Sequence, residues 1–410
     1  MKAAMDLMPI LHTLRRHKTA VFLIVFEIAL TTAIVCNALH LITLRIGNLQ
    51  RDYGVVEQEL LVLGVRATNP NTDADGLTAQ DLAQLRALPG VRGATVVNQV
   101  IYGSNSNNTG VSLNSDKTGL RVVASNFDGG EGALATLGWR LVAGRDFLAE
   151  EFQSATLMMK QDKPQLPQVI ISRELAQTLF QGGNALGRAI YIGGDSPSIV
   201  VGVAEGMVHP YPGRSTNSSD RHAMLFPVRN SFRGGSYLLR VDPAQRDAVL
   251  KAAAGVIDKV DNTRIVFESK RLSDMRDTYY AQDRAMAWLM GGVCVALLLV
   301  TAFGIVGLAS FWVQQRTRMI GTRRALGATM GQILRYFQLE NLILTSAGIV
   351  LGMVGAYGLS LLLMAQYELP QLPASYLPLG ALALWALGQL AVLAPARRAA
   401  ALPPVAALRA

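Results

Sequence analysis

Cysteine and charge are both scarce in this chain. The two cysteines, Cys36 and Cys294, each lie inside a long apolar run, so neither can form a disulfide in the rest of the chain, and two thiols alone are too few for a metal site. Only 16% of the 410 residues are charged, whereas 50% are hydrophobic. A soluble protein of this size usually carries more charge, so the composition favours membrane-spanning segments.

The sequence also lacks the motifs of common catalytic sites. The stretch GGNALGRA has neither the spacing nor the lysine of a phosphate-binding loop, and neither G-x-S-x-G nor H-E-x-x-H occurs. Of five scattered histidines, only His209 and His222 share a predicted polar loop, where a weak metal site is the alternative to ordinary surface histidines. We therefore expect a chain that is not an enzyme and that binds no cofactor of its own.

Four apolar runs, by contrast, are long enough to be transmembrane helices. Each has about 20 residues or more, which is the length needed to cross about 30 Å of hydrocarbon. The predicted crossings are residues 20–44, 287–313, 338–364 and 374–394. Basic residues precede the first run, as in a signal peptide, but its apolar stretch is too long and no small-residue cleavage site follows. We therefore predict a retained anchor.

The positive charge sets the predicted orientation. The segments before residue 20, between residues 316 and 335 and after residue 394 contain twelve lysines and arginines and one acid, Asp6, which gives them a net charge of +11. The whole chain carries +9, so the remainder carries −2. The positive-inside rule places these segments in the cytoplasm. Residues 1–19 are thus predicted to be a cytoplasmic N-terminal segment and residues 395–410 a cytoplasmic tail. A middle region without net positive charge argues against a nucleic-acid partner.

The two remaining segments are predicted to lie outside the cytoplasm. Residues 365–373 form a short periplasmic loop, and residues 45–286 form a large mixed α+β domain that ends in a stalk helix continuing without a break into the second crossing. Within this domain, Ser172 is predicted to cap a helix, and residues 103–119, which are rich in Ser, Asn and Gly, to form a loop or a hairpin tip. The predicted fold is thus an α-helical membrane protein with one helix before the inserted domain and three after it.

One short segment concentrates the charge. It reads RTRMIGTRRALGATMGQILRYF, residues Arg316 to Phe337, with five arginines and no acid, and we call it the arginine joint. Gly327 and Ala328 are predicted to break it into two helices, and Thr329 and Gln332 have the spacing of a capping box at the start of the second. Such a helix–turn–helix can present arginines to another protein or to lipid phosphates, and the residues alone leave both open.

Glu27 is an acid inside the first apolar run, VFLIVFEIALTT. A charge there costs at least about 2.5–3.5 kcal/mol at mid-membrane and usually faces protein or water. It can line a substrate path or pair with a partner helix, or it can be a protonated or snorkelling carboxylate nearer the cytoplasmic side. The sequence favours neither interpretation.

Three motifs carry a resemblance to a known family. The stretch QQRTRMIGTRRALGAT resembles the signature of the FtsX/MacB-like (type VII) ABC transporter permeases, which usually reads QRTREIGIRRALGA. The stretch VIISRELAQTLFQGGNALGRAIYIGG resembles their periplasmic core domain, and the tail PARRAAALPPVAALRA is similar to the family ending. The one-plus-three arrangement of helices agrees with the same family.

The resemblance implies that residues 314–337 form a cytoplasmic coupling helix that docks into a groove of an ATPase. The positions that match the signature are Arg316, Arg318, Ile320, Gly321, Arg323, Arg324, Ala325, Leu326, Gly327 and Ala328. Met319 stands where glutamate is usual, and Thr322 where isoleucine or leucine is common. Loss of that acid motivates the hypothesis that this chain pairs with a sister permease that carries the usual signature.

The resemblance further implies the partners and the kind of function. A separate cytoplasmic ABC ATPase, which binds ATP and Mg, is expected because this sequence carries no ATPase domain, together with a second permease in a homo- or heterodimer and contact with membrane lipid. The expected function is a subunit of a bacterial inner-membrane exporter, working with a periplasmic adaptor and an outer-membrane channel. The alternatives are an FtsX-like regulator of a periplasmic cell-wall enzyme and a lipoprotein-release permease of the LolC/LolE kind.

Overall fold

The computed structural model describes residues 17–51, 53–116, 118–161, 165–213, 220–367 and 371–401. The chain divides into two compact units. One, the helical unit, combines the N-terminal segment up to Leu49 with the segment from Asp283 onward, and the other, the large domain, is Gln50–Gln282. Most of the predicted N-terminal segment, and the tail from residue 402, lie outside the described residues.

Helices dominate the helical unit and are interspersed with strands in the large domain. In chain order they are α1 (Lys18–Gln50), α2 (Ala74–Arg86), α3 (Ala133–Leu137), α4 (Ala155–Met158), α5 (Arg173–Phe180), α6 (Arg246–Val260), α7 (Leu272–Tyr279), α8 (Ala281–Gln315), α9 (Thr317–Ala325), α10 (Met330–Tyr367) and α11 (Tyr376–Ala400). The stalk was expected to continue unbroken, but α7 ends at Tyr279 and α8 begins at Ala281, with Tyr280 outside helical geometry between them (φ −91°, ψ 4°).

The strands all belong to the large domain. They are β1 (Leu60–Ala67), β2 (Val91–Val97), β3 (Asn108–Ser112), β4 (Arg121–Gly129), β5 (Arg140–Gly144), β6 (Gln153–Ser154), β7 (Gln168–Ser172), β8 (Ala189–Ile192), β9 (Pro197–Glu205), β10 (Ala223–Arg229), β11 (Ser236–Val241) and β12 (Arg264–Arg271). They form one mixed sheet in the order β12-β1-β11-β2-β4-β3-β8-β9-β7-β10-β6, with β5 paired to β9.

Four helices of the described chain are long and apolar enough to cross a membrane, and one of them is near the N-terminus. They are α1, α8 with the helical segment before it, α10 and α11, which extend beyond the predicted apolar runs. The three-after-one arrangement and the inserted α+β domain confirm the predicted fold class. Because lipid tails are as apolar as leucine, close contact between such helices requires small residues.

Glycines spaced four residues apart provide that close contact between α1 and α10. A Cβ added to Gly348 would lie 2.7 Å from the Cβ of Ile28, and one added to Gly352 would lie 2.5 Å from the Cβ of Thr32. Asn37 of α1 donates from Nδ2 to the carbonyl oxygen of Ala356, one further turn along α10, at 2.9 Å. The pattern small-x-x-x-small thus brings the two backbones together over two turns.

The large domain has two apolar clusters on one sheet. The first joins α2 and α6 to β1, β2 and β11, and the second joins α5 to β3, β4 and β7 through β10.

The helix predicted after Ser172 is confirmed, since Ser172 Oγ accepts from the N–H of Leu175 at 3.2 Å. The predicted loop 103–119 is wrong in part, because Asn108–Ser112 forms β3 inside the sheet, where it pairs with β4 and β8. Residue types that favour turns are thus held in an extended conformation here, because β4 and β8 pair with β3 on its two sides.

Asp128, at the end of β4, makes the stability of the large domain depend on pH. Burial raises the pKa of its carboxyl to about 6, above the value near 3.9 of an unfolded chain. The folded domain then binds a proton that the unfolded chain has released, so stability falls as pH rises from about 4 to about 6, by up to about 3 kcal/mol. We expect Asp128→Asn to remove this slope, measured as unfolding midpoints of the full chain at pH values across that window. A slope unchanged in Asp128→Asn would contradict the assignment.

Candidate functional site

The arginine joint folds as two helices with a tight turn between them. Helix α9 ends at Ala325, Gly327 adopts a positive φ of 94°, and α10 begins at Met330. Only glycine takes that backbone conformation at little cost. The predicted capping box is confirmed, since the Thr329 N–H donates to Gln332 Oε1 at 2.9 Å and the Gln332 N–H donates to Thr329 Oγ1 at 3.3 Å.

Arg316 does not belong to the exposed surface of the joint. It is 9% exposed, and its guanidinium forms a forked ion pair with Glu340, which is 1% exposed. Arg316 Nη1 lies 2.8 and 3.1 Å from the two carboxylate oxygens, and Nη2 lies 3.1 Å from one of them. The Trp312 ring, near the end of α8, lies 5.3 Å from the guanidinium carbon. Three helical segments therefore meet at the first residue of the signature.

Two further arginines tie α9 to its neighbours. Arg323 lies over the Tyr336 ring of α10 at 5.0 Å, a cation–π contact. Arg324 Nη1 donates to the carbonyl oxygen of Ala400, at the end of α11, at 2.5 Å. The C-terminal carbonyls of a helix attract cations, so this contact also suits the dipole of α11.

The apolar signature residues lie on the same inward side. Ile320 is 2% exposed within the apolar cluster of the helical unit, and Gly321 is buried as well. Ala328, in the turn, is half-buried. Five of the ten predicted site residues, namely Arg316, Ile320, Gly321, Arg323 and Arg324, thus hold α9 in place instead of extending away from it.

Four of the predicted site residues form a surface that another molecule can reach. Arg318, Ala325, Leu326 and Gly327 are exposed, as is Thr322 beside them, and we call these five residues the exposed tip. Leu326 is 84% exposed and Met330, beside it in the chain, is 52% exposed. An exposed leucine beside arginines, with no acid in the joint, suits an apolar pocket with acidic groups near it.

Sequence reasoning missed two residues of this site, Glu340 and Trp312. Glu340 lies near the start of the predicted crossing 338–364, 24 positions beyond its partner. Its only signal was that an acid inside an apolar run needs a counter-ion. The separation is too long for the three- or four-residue rule that identifies ion pairs along one helix.

Glu27 lies in the contact between α1 and α8. It is half-buried, and its Oε2 lies 2.7 Å from the position that a Cβ on Gly304 would occupy. Its Oε1 has no hydrogen-bond partner among the described residues. One turn further, Thr31 Oγ1 and Thr301 Oγ1 share a hydrogen bond of 2.9 Å. Glu27 and Thr31 therefore place polar groups along one seam between the two helices.

His209 and His222 of the large domain make separate local contacts. His209 Nδ1 accepts from the N–H of Tyr211 at 2.9 Å, and His222 Nε2 shares a hydrogen bond of 3.1 Å with Thr178 Oγ1. Burial lowers the pKa of both rings, which favours their neutral forms. Within the part of the chain that the structure describes, no group of three or more His, Cys, Asp or Glu is placed to hold a metal ion.

Comparison with known families agrees with this architecture of four crossings and an inserted domain, which defines a multi-pass membrane protein. Residues 20–257 match the family profile described as "MacB-like periplasmic core domain", and residues 291–404 match "FtsX-like permease C-terminal". The chain therefore belongs to the MacB-like, FtsX-like family of ABC transporter permeases.

Individual relatives carry names of the same kind. The chain is 26% identical over 349 residues to the "Uncharacterized ABC transporter permease YknZ" of Bacillus subtilis, with 84% of this chain and 82% of that protein covered. It is 28% identical over 250 residues to the "Macrolide export ATP-binding/permease protein MacB" of Chromobacterium violaceum, covering 58% of this chain and 38% of that protein. The match thus spans well under half of that relative's length.

A solved structure is similar to part of the chain. The periplasmic region of MacB from Actinobacillus actinomycetemcomitans aligns with a TM-score of 0.34 at 13% identity, covering 57% of this chain and 97% of that structure.

Proposed function

We propose that this chain is the membrane-spanning subunit of an ABC exporter and that a separate ATPase docks on the exposed tip. The observation that carries the proposal is that the two sides of α9 differ in their contacts. One side of this nine-residue helix is fixed to α8, α10 and α11, while the other side presents Arg318 and Leu326. A helix fixed on three sides transmits a push on its tip to all three neighbours.

The direction of that transmission follows from charge and the number of crossings. The positive segments lie on the cytoplasmic side in this proposal, as the positive-inside rule favours. One crossing separates the arginine joint from the large domain in the chain, so the large domain is periplasmic in the inner membrane of a bacterium. ATP binds with Mg in the ATPase, and this chain contributes movement and no catalytic group.

Export is favoured over the alternatives because it appears in the name of the MacB relative, to which this chain is similar over 250 residues. The assembly that we propose contains two ATPase subunits and two permeases, the second being another copy or a sister chain. A periplasmic adaptor and an outer-membrane channel complete the path. Arg397 and Arg398, exposed at the end of α11, contact lipid headgroups.

We expect the double variant Arg318→Glu/Leu326→Asp to lose most of its affinity for the ATPase. Exposed anchor residues at the centre of an interface typically contribute 2 kcal/mol or more, about a thirtyfold change in affinity. Neither side chain is buried, so insertion and stability of the chain should not change. The measurement is co-purification and titration of the detergent-solubilised permease with its ATPase.

The matched control is Arg397→Glu, which reverses the charge of another exposed arginine on the same unit outside α9. Arg397→Glu should retain binding of the ATPase. Equal loss in Arg397→Glu would mean that general positive charge attracts the ATPase, and undiminished binding of the double variant would overturn the docking site. Reversal of Arg323 and Arg324 is a poorer test, since both also hold α9 in place.

A further inference from the structure

A wide polar cleft lies in the large domain beside β3, β4 and the turn between β8 and β9. It contains about 1770 Å³ of space open to solvent. Five primary amides line it, those of Asn98, Asn107, Asn108, Asn126 and Gln165. A primary amide offers both donors and an acceptor, so this lining can hydrogen-bond groups of either kind. The cleft differs from the mainly apolar pockets that bind most drug-like ligands.

Hydrogen bonds connect the residues of the cleft floor. Asn98 Nδ2 donates to the carbonyl oxygen of Asn126 at 2.9 Å, and Asn98 Oδ1 accepts from the N–H of Asp128 at 2.9 Å. Asn126 Nδ2 donates to Thr109 Oγ1 at 2.5 Å. A Cβ on Gly193 would lie 3.2 Å from Thr109 Cγ2, so the turn between β8 and β9 lies against the same floor. The Asn98 amide is therefore held at both of its polar atoms, and the Asn126 amide at one.

One amide atom in this floor lacks a partner. Asn126 Oδ1 is buried and accepts no hydrogen bond from the described residues. Rotating the amide by half a turn would give its oxygen to the Thr109 hydroxyl and leave Nδ2 unpaired instead. Buried polar atoms without a partner are rare because each costs about 1–3 kcal/mol. Because this oxygen is closed off from the cleft, a ligand hydroxyl can become its partner only when the Asn126 amide turns toward the cleft that it lines.

The charge of the cleft is negative. Asp128 and Asp195 contribute carboxylates, and no lysine, arginine or histidine occurs among the described residues that line it. Asp128 receives one long hydrogen bond from Asn230 Nδ2, at 3.5 Å, and Asp195 lies on an exposed turn. A ligand with a positive charge therefore gains from both carboxylates, whereas an anionic ligand is repelled by them.

We propose that this cleft binds an amino sugar or a short oligosaccharide of amino sugars. Hydroxyl groups act as donor and acceptor at once and so match the five amides. A free amine matches the two carboxylates, and a neighbouring hydroxyl donates to Asn126 Oδ1 once that amide has turned toward the cleft. The inference concerns the large domain alone, so it stands or falls separately from docking of an ATPase on the exposed tip.

The test uses the purified full chain in detergent and two probes with the same sugar backbone. One probe is a glucosamine tetrasaccharide, which carries amines, and the other is the matching glucose tetrasaccharide, which carries hydroxyls at those positions. We expect saturable binding of the glucosamine probe by calorimetry, at least about tenfold tighter than binding of the glucose probe. No saturation by either probe up to about 1 mM would overturn the proposal, and so would tighter binding of the glucose probe.

Variants locate the site. Asn126→Ala should weaken binding of both probes about tenfold, whereas Asp195→Asn, on an exposed turn where folding is not at risk, should weaken only the glucosamine probe. Asn262→Ala, an exposed asparagine outside the cleft, is the matched control and should bind as the unchanged chain does. If Asp195→Asn keeps the full preference for the amine, or if Asn262→Ala weakens binding equally, the cleft is not the site.

Discussion

Replacing Glu340 by alanine should uncouple the ATPase from this chain, although Glu340 lies outside the exposed tip. The variant leaves the Arg316 guanidinium buried without a counter-ion. Breaking a buried pair in this way typically costs about 3–5 kcal/mol, because the remaining charge is neither solvated nor paired. Arg316 then has to move toward water, and α9 loses this attachment to α10 and to Trp312, although Arg323 still lies over the Tyr336 ring.

The measurements are the unfolding midpoint of the full chain in detergent and the ATPase rate of the assembled complex. We expect Glu340→Ala to lower both, while binding of the isolated ATPase falls less than in Arg318→Glu/Leu326→Asp. Arg316→Lys should give an intermediate result, because a lysine ammonium cannot make the forked pair.

A double variant separates stability from coupling. Replacing both partners by apolar residues, as in Arg316→Met/Glu340→Met, removes the uncompensated charge, and such replacements are often neutral or stabilising. We expect the unfolding midpoint to recover and the coupling to remain impaired, because methionine offers no forked contact. Full coupling in the double variant would mean that the ion pair only stabilises the fold, and normal coupling in Glu340→Ala would contradict the role of the pair altogether.

The second large effect is expected in the large domain, where Asp81→Ala should disrupt the packing of four elements. Asp81 of α2 and Arg264 of β12 both have fully buried side chains. Arg264 Nη1 and Nη2 lie 2.5 and 2.9 Å from the two carboxylate oxygens, and Nη2 also donates to the carbonyl oxygen of Ile257, in α6, at 3.2 Å. Tyr237 of β11 donates its hydroxyl to the same carboxylate.

This network is charged, completely enclosed and shared, so losing one member affects the others. Asp81→Ala leaves the buried Arg264 guanidinium with only the Asp261 carboxylate, 3.7 Å from its Nε, and we expect a loss of about 3–5 kcal/mol in the free energy of unfolding. Burial, and then the Asp81 charge, raise the pKa of Tyr237 above its usual value, so its hydroxyl remains a donor at ordinary pH. Tyr237→Phe removes only that one hydrogen bond and should cost about 1–2 kcal/mol.

Denaturant unfolding of the full chain checks these values, with hydrogen exchange at β11 and β12 as a local readout. The control is Glu131→Ala, which breaks an ion pair with Arg229 whose side chains are 50% and 45% exposed. Exposed pairs contribute at most about 1 kcal/mol, so Glu131→Ala should change little. A loss in Asp81→Ala no larger than that of the control would refute the importance of the buried network.

The arginine joint shows which structural features local sequence patterns can predict. Its turn and its capping box were predictable because Gly327 alone permits the turn conformation, while Thr329 and Gln332, which bond to each other, are three positions apart. Its division into a fixed side and an exposed tip was not, since the five arginines look alike in the sequence. Arg316 is buried, Arg323 lies on an aromatic ring and Arg318 is exposed, and these differences depend on which helix packs against each position.

The large domain also shows which elements local sequence patterns can predict and which they cannot. The helix after Ser172 was predictable from one cap residue and the apolar spacing that follows it. Strand β3 was missed because Asn108–Ser112 has the composition of a turn, and only pairing with β4 and β8 makes it a strand. The polar cleft could not be predicted from the sequence for the same reason, since its five amides come from separate parts of the chain.

The sequence by itself determined the properties that depend on composition and on short separations along the chain. These are the four apolar crossings, the concentration of positive charge in three segments, the inserted domain and the family signature. Tertiary structure alone decided which charges are paired and which are exposed. Glu340 and Arg264 each find their partners far along the chain, and the burial that gives those pairs their large effects exists only after the helices and strands have packed.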